Sequence, residues 1–323
     1  MLKRKIMGVV SLLLVAVFVA ACGGNGGGND EVTFETAEMV VVMPAAEHGW
    51  IAAVIFFAEQ KAAELREQGI GGVRILTSVN VAEQASQLDE LISQNVDVIV
   101  LFPHSDELDF AAQRVVDAEI PLFVFNRNVN VAFESRLLGS NLEIGGQSAR
   151  VIARELGGEG IVATISVPAV GSTNYERHGS FGDVIAEYPG ITLINATTTA
   201  ISIEEALTVM TDVLTANPQI DAIFTIDDSL SIGALQAVRE AGRTDVRVIN
   251  GSGGSQVYFH EIANEPDIYL FTATFSPTMI MDTMDLAVQW LNGRRDFPEI
   301  TIIEPSIVTR DNVQDFFAPG SPW

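Results

Sequence analysis

The 323-residue chain carries 18 Lys and Arg against 42 Asp and Glu, a formal charge of −24 at pH 7. That balance argues against a nucleic-acid partner, because polyanion binding draws on clustered basic residues and counterion release. The single cysteine excludes an internal disulfide, so apolar burial must hold the chain together, and a 48% share of hydrophobic residues is ample for that.

In chain order, Lys3, Arg4 and Lys5 precede an uncharged run over residues 6–21 and then Cys22. This is the charged and apolar pattern of an export signal, and the run is marginal for a bilayer core that needs roughly 20 apolar residues. Val19, Ala20 and Ala21 before Cys22 resemble the lipobox of bacterial lipoproteins. That resemblance implies a signal peptide over residues 1–21 and an acylated Cys22 anchoring the protein to the membrane without spanning it. An ordinary signal peptide with an incidental cysteine is the competing reading. Residues 23–30 are glycine-rich and poor in apolar side chains, which predicts a flexible tether, taken here as 22–37. Removing Lys3, Arg4 and Lys5 leaves 15 basic against 42 acidic residues, about −27 for the mature chain, and the plain reading of so much acid is solubility.

About 290 residues remain, more than one core usually serves, so two domains are expected. From Met39 on, short aliphatic runs alternate with helical patterns, and continuous apolar runs mark strands buried on both faces. The first strand series is 39–43, 73–76, 96–102, 122–125 and 136–138, with helices over 51–68, 81–94 and 106–118. A second series follows Asn141, with strands over 161–166, 191–196, 220–226, 246–250 and 269–274, and helices over 202–216 and 230–241. Two such series predict an α/β chain of two doubly wound parallel-sheet domains.

In such sheets ligands sit beyond the carboxyl ends of strands. Those positions hold His48, Trp50, Asn126, Arg127, Arg177, Asp227 and Asp228, planar polar groups and one large aromatic. Aromatic faces cover C–H patches, while Arg, Asp and Asn offer fixed fans of donors and acceptors to hydroxyls, the chemistry a polyhydroxy ligand needs. Each has a plainer alternative. Trp50 reads also as a core residue of the first helix, and His48 as a cap partner. One of Asp227 and Asp228 should cap the helix that begins near Leu230, Asp228 being the better candidate. Arg127 has little structural reason to follow a buried LFVF run.

With these residues in view, the chain from Val40 to about Ile307 resembles the type I periplasmic sugar-binding proteins, the group containing ribose-binding protein. The marks are HGW before the first helix, Asn126-Arg127 after a strand, the NYERHGSF segment around Arg177, Asp227-Asp228 before SIGAL, and Ser276-Pro277 after the last long strand. The resemblance implies ligand contacts from His48, Trp50, Asn126-Arg127 (for the family's Asp-Arg pair), Arg177 and Asp227. It places Ser252 where the family commonly has Asp, and Phe275 at a crossover position often filled by an amide. Losing carboxylate acceptors suggests a ligand other than ribose, such as a deoxysugar, a sugar alcohol or a furanose. The family further implies an ABC permease as partner, an extracytoplasmic location, a monomer, no cofactor, and a hinge of three crossings near 139–141, 275–276 and 303–306. The lobes would then be 38–139 with 276–303 and 140–275 with 304–323.

Two other functional classes are weighed. The same fold suits a sensor lobe that presents a sugar or an autoinducer-type furanone to a membrane receptor, and a hydrolytic enzyme using His48 with Asp227. No GxSxG elbow, P-loop or cysteine-histidine pair singles out a nucleophile, and Gly251, Gly253 and Gly254 lack the third glycine of a dinucleotide fingerprint. Glu47 and His104 are weak metal candidates, because the four histidines show no ligand spacing, and no metal site is expected.

Overall fold

The computed structural model describes residues 35–46 and 49–323. The expectations for the signal, the tether, Cys22, Glu47 and His48 therefore lie outside or largely outside the described residues.

The first strand shows why the sheet is covered on both sides. In β1 (Glu38–Pro44) successive side chains point to opposite faces. Met39, Val41 and Met43 join one apolar cluster, and Val40 and Val42 join another. The first cluster is closed by α1 (Gly49–Glu67) through Val54, Ala58 and Leu65. After β2 (Gly72–Ser78), α2 (Val81–Gln94) closes the second through Leu88 and Leu91. The start of α2 is fixed locally: the Asn80 side chain accepts from the Glu83 N–H at 2.9 Å, and Glu83 accepts from the Val79 N–H at 2.7 Å. Its end is a left-handed Asn95, φ 54°.

The series continues with β3 (Val98–Leu101), α3 (Asp109–Asp117), β4 (Leu122–Phe125) and β5 (Ser135–Gly139). Then come α4 (Asn141–Leu156), β6 (Glu159–Ser166), α5 (Ser172–Ile185), β7 (Gly190–Thr197), α6 (Ile203–Ala216), β8 (Ala222–Thr225) and α7 (Asp228–Glu240). The last elements are β9 (Val248–Ser252), α8 (Gln256–Asn264), β10 (Tyr269–Thr274), α9 (Met279–Leu291), β11 (Ile300–Ile303) and β12 (Ser306–Val308).

Two six-stranded sheets result, ordered β2-β1-β3-β4-β5-β11 and β7-β6-β8-β9-β10-β12. Both follow one doubly wound plan. The chain passes between them three times: after β5 through α4, after β10 through α9, and between β11 and β12. The helix at each of the first two passages packs on the sheet it leads into. Ala149 and Ile152 of α4 lie in the second core, and Met279, Ile280 and Met284 of α9 lie in the first.

The structure adds to the sequence expectations and corrects one. Strand β12 pairs antiparallel with β10, whereas every other pairing among the described residues is parallel. Short β11 and β12, exposed or half-buried except at Val308, lack the continuous apolar run that marks an inner strand. Helix α7 begins at Asp228, two residues earlier than expected, and its cap is Asp227, whose carboxylate accepts from the Ser229 N–H at 2.8 Å. Asp228, expected as the cap, is wholly buried instead and accepts from Thr272 Oγ1 at 2.8 Å and the Ser255 N–H at 2.6 Å. Extended backbone at Asp227 is the geometry a cap requires, and it turns the next side chain inward.

At the base of the second sheet, away from the strand carboxyl ends, Arg243 grips Asp245 through two bonds of 2.7 and 2.5 Å. Asp245 also accepts from the Ile220 N–H at 2.8 Å, and Arg243 donates to the Leu214 carbonyl at 2.7 Å. The guanidinium holds the Asp245 carboxyl well below the usual carboxylate range. A depressed carboxyl contributes stability above its unfolded-state pKa near 4 and loses it as the pH falls toward the folded value. Asp245→Asn should therefore cost about 1–3 kcal/mol at pH 7. In urea titrations the gap to wild type should narrow by pH 3, and a gap unchanged with pH would contradict this role.

Candidate functional site

The carboxyl ends of both sheets meet the passages between them, and four aromatic rings gather there. Trp50, at the second position of α1, lies parallel to Phe125 at the end of β4, with centroids 6.2 Å apart and planes 4° apart. It meets Phe102 edge-on at 6.3 Å and Phe275 at 5.7 Å, and Phe102 meets Phe125 at 5.3 Å. Phe275 follows β10 directly, so it belongs to a passage between sheets. Its carbonyl accepts from the Trp50 indole N–H at 3.4 Å. A Cβ on Gly139, the end of β5, would fall 2.2 Å from the Phe275 ring, so only glycine leaves room for it.

Two arginines stand over this cluster. The Arg127 guanidinium carbon is 5.5 Å from the Phe102 centroid, and the Arg177 carbon is 5.9 Å from that of Phe275, both within cation–π range. Arg127 is exposed and donates to the His104 carbonyl. Asn126 precedes it with φ 62°, a left-handed conformation that asparagine tolerates better than most residues. The Asn126 carbonyl accepts from Arg136 Nη2 at 2.9 Å and Nε at 3.2 Å.

Arg177, on α5, is buried. It donates Nε to Asn141 Oδ1 and Nη1 to the carbonyls of Ile226 and Ser252, each at 2.9 Å. Burial pulls its pKa down, opposed by Asp227, Asp228 and Glu176 nearby. The side chain thus joins the start of α4 to the ends of β8 and β9.

Asp227 is half-buried beside it, and desolvation together with the Asp228 charge pushes its carboxyl up to about 6. Ser252 is fully buried, with its hydroxyl donating to the Thr225 carbonyl at 2.9 Å. It presents its main chain, not its hydroxyl, to Arg177.

Among the described residues, the expected ones other than His48 lie at the carboxyl ends of the two sheets and along the passage after β10. Trp50 and Phe275 belong to the aromatic cluster, Arg127 stands over it with Asn126 preceding it in the chain, and Asp227 and Ser252 neighbour Arg177, which stands over Phe275. Phe102, Phe125 and Asn141 were missed as site residues. Phe102 and Phe125 end aliphatic runs, where a sequence gives them the look of core, and Asn141 reads as an ordinary first helical residue. His104, raised as a weak metal candidate, holds its ring Nε2 2.8 Å from the Ser78 carbonyl and lends its own carbonyl to Arg127. Among the described residues no group of three or more His, Cys, Asp or Glu is placed to hold a metal ion, and no helix is long and apolar enough to cross a membrane.

Paired doubly wound sheets with a polar and aromatic site at their facing carboxyl ends define a two-lobed small-molecule binding protein. Residues 39–295 match the periplasmic binding protein domain, and the chain belongs to that family, one of solute-binding proteins and not of enzymes. It is 34% identical over 181 residues to the xylitol-binding protein of Mycolicibacterium smegmatis, a match covering 54% of this chain and 51% of that protein. The chain thus spans about half the length of that relative. An ABC transporter periplasmic solute-binding protein of Actinobacillus succinogenes, solved with bound D-allose, superposes with a TM-score of 0.74 at 21% identity, covering 87% of this chain and all of that one. A periplasmic ribose ABC transporter protein of Conexibacter woesei gives 0.76 at 18% identity, covering 88% and 95%. At these identities the structural likeness speaks for the fold.

The raised Asp227 pKa has a stability consequence. An acid whose folded pKa exceeds its unfolded value destabilises the fold when ionised. The cost is absent below the unfolded pKa near 4 and complete above about 6. Asp227→Asn keeps a competent helix cap and removes the charge. The variant should gain on wild type as the pH rises from 4 to 7, by on the order of 1 kcal/mol given its water-exposed side. Parallel denaturant curves at the two pH values would show no divergence if Asp227 were an ordinary surface carboxylate.

Proposed function

We propose that the chain is the extracytoplasmic solute-binding component of an ABC importer, holding a monosaccharide or related polyol between its lobes and delivering it to permease subunits. One observation carries this reading: Arg127 from the first lobe and Arg177 from the second stand over the same aromatic cluster, so a ligand resting on those rings would meet donors from both sides. Aromatic surface suits the C–H face of a sugar, and charged donors suit its hydroxyls. The names of the relatives, which bind xylitol or are solved with D-allose or described for ribose, support the ligand class.

The lobes are proposed as residues 38–139 with 276–303 and 140–275 with 304–323, turning about the three passages. A ligand touching both favours the closed form, and closure presents a composite surface to the permease. His48, Trp50, Asn126, Arg127, Arg177 and Asp227 are proposed as contacts. Ser252 and Phe275 act through their surroundings, one by orienting Arg177 and the other by walling the cluster. The protein is proposed to act as a monomer without a cofactor, tethered outside the cytoplasmic membrane by lipid on Cys22.

A thermal-shift panel of xylitol, D-ribose, D-allose, L-arabinose and myo-inositol tests the ligand class, because specific binding raises native stability by mass action. At least one member should shift the midpoint and be recovered chemically unchanged. By calorimetry, Arg127→Ala should then weaken that compound by at least about tenfold, on the order of 1.4 kcal/mol. Unchanged affinity in a folded Arg127→Ala protein would remove Arg127 from the site, and a panel with no shift would remove the ligand class.

A further inference from the structure

Residues 317–323 leave the second sheet's helices and end against the first. At the second-lobe end, Gln256 of α8 holds the segment with both ends of its amide: it donates to the Phe316 carbonyl at 3.3 Å and accepts from the Ala318 N–H at 3.0 Å. Phe316 and Phe317 pack on Phe259 with centroids 6.0 and 6.1 Å away. A turn follows, with the Ser321 N–H donating to the Ala318 carbonyl at 3.0 Å. By Gly320 the chain has reached the first lobe, where an added Cβ would lie 3.7 Å from the Phe56 ring of α1.

The segment carries Trp323 between the two walls. A Cβ on Gly49, the first residue of α1, would lie 1.8 Å from Trp323 Cε3, and one on Gly253, just past β9, would lie 3.4 Å from Cζ2. The six-membered ring of the indole therefore rests on bare backbone at the carboxyl-end faces of both lobes. Gly49 has ordinary helical geometry, so the ring and not the backbone demands glycine there. The indole N–H of Trp323 is buried with no acceptor among the described residues, and leaving a buried donor unpaired is unfavourable. An aromatic ring bridging two walls, with a buried donor beside a site built for hydroxyl-bearing ligands, is incomplete as a purely structural wedge.

We propose that Trp323 is a ligand-contacting strap residue: its indole spans the mouth of the interlobe cleft, covers the bound sugar or polyol, and donates its N–H to a ligand oxygen. This rests on the interlobe reading above and deepens it. Opening the cleft must lift the ring from Gly49 or from Gly253, so the 317–323 segment moves with the lobes. The ligand, by supplying the missing acceptor, favours the seated position. Specificity follows from the same geometry, since an analogue without an oxygen at that point leaves the donor unpaired and is rejected.

The test uses the full protein with Trp323→Phe, Trp323→Ala and Gly49→Ala. Without any ligand, the difference in emission between wild type and Trp323→Phe isolates this indole among the three tryptophans. In the open, ligand-free protein the ring keeps one of its two glycine faces, so that component should be less accessible to acrylamide than free tryptophan, and Gly49→Ala should expose it further. An indole as accessible as free tryptophan overturns the proposal whatever the ligand is. With xylitol, or whichever panel compound binds wild type, Trp323→Phe should lose about three- to tenfold in affinity for its missing N–H, and Trp323→Ala and Gly49→Ala more than about tenfold. Equal affinity in all variants, or tighter binding in Trp323→Ala, overturns the ligand contact while leaving the interlobe site standing. A wild type that binds nothing in the panel counts against the ligand class, and the quenching result still decides the strap.

Discussion

The site depends on a buried cation that no carboxylate among the described residues neutralises by direct contact. Arg177 gives three of its five donors to one amide oxygen and two strand-end carbonyls, keeps its Nη2 pair outside these bonds, and lays its guanidinium beside the Phe275 ring. Removing a guanidinium from water is costly, and such fixed hydrogen bonds are what make it tolerable. Every partner sits at a junction: Asn141 where the chain first enters the second sheet, Ile226 and Ser252 at strand ends, Phe275 where the chain leaves. The orientation of α5 and the seating of the return passage are set together by one side chain. Asp227 follows: burial and the Asp228 charge push its carboxyl up while Arg177 pulls it down, and the wholly buried Asp228 leans instead on the Ser255 N–H and Thr272 Oγ1.

Against this stands the aromatic cluster of the first lobe, which is apolar where the Arg177 corner is polar. Trp50 packs three of its contacts on rings and gives its N–H to the Phe275 carbonyl, so it serves both as core and as wall. The two readings of Trp50 offered by the sequence are thus not exclusive. Gly139 matters for the same reason: a methyl group there would dislodge the ring that separates cluster from cation.

Much of the fold was legible because inner parallel strands write themselves as continuous apolar runs. Leu122–Phe125, buried on both faces, was located to the residue, and Val98–Leu101 fell inside an expected run of 96–102. What failed to show were elements without that signature. The edge strands Ile300–Ile303 and Ser306–Val308 are short and half-exposed, and the antiparallel pairing of the second depends on where the chain returns, not on its composition. Within the site, Arg127 stood out because a charge directly after a buried run is conspicuous, and Arg177 because of the NYERHGSF segment around it. Phe102 and Phe125 did not, since a phenylalanine ending an apolar run looks the same whether it faces core or ligand. The exchange of roles between Asp227 and Asp228 turned on one backbone conformation, φ −155° at Asp227, which two adjacent aspartates cannot reveal. Trp323 lies far in sequence from every other cleft residue, and only the folded chain brings it to Gly49 and Gly253.

The central claim is that one small polyhydroxy ligand is held between two lobes that close on it. Small-angle X-ray scattering of the protein, alone and saturated with a compound whose binding calorimetry has established, measures that closure directly. The account predicts a smaller radius of gyration in the bound state, reversed when the ligand is dialysed away. Stoichiometric binding with the same radius of gyration in both states would contradict it, placing the ligand on a single lobe or in a cleft that does not move.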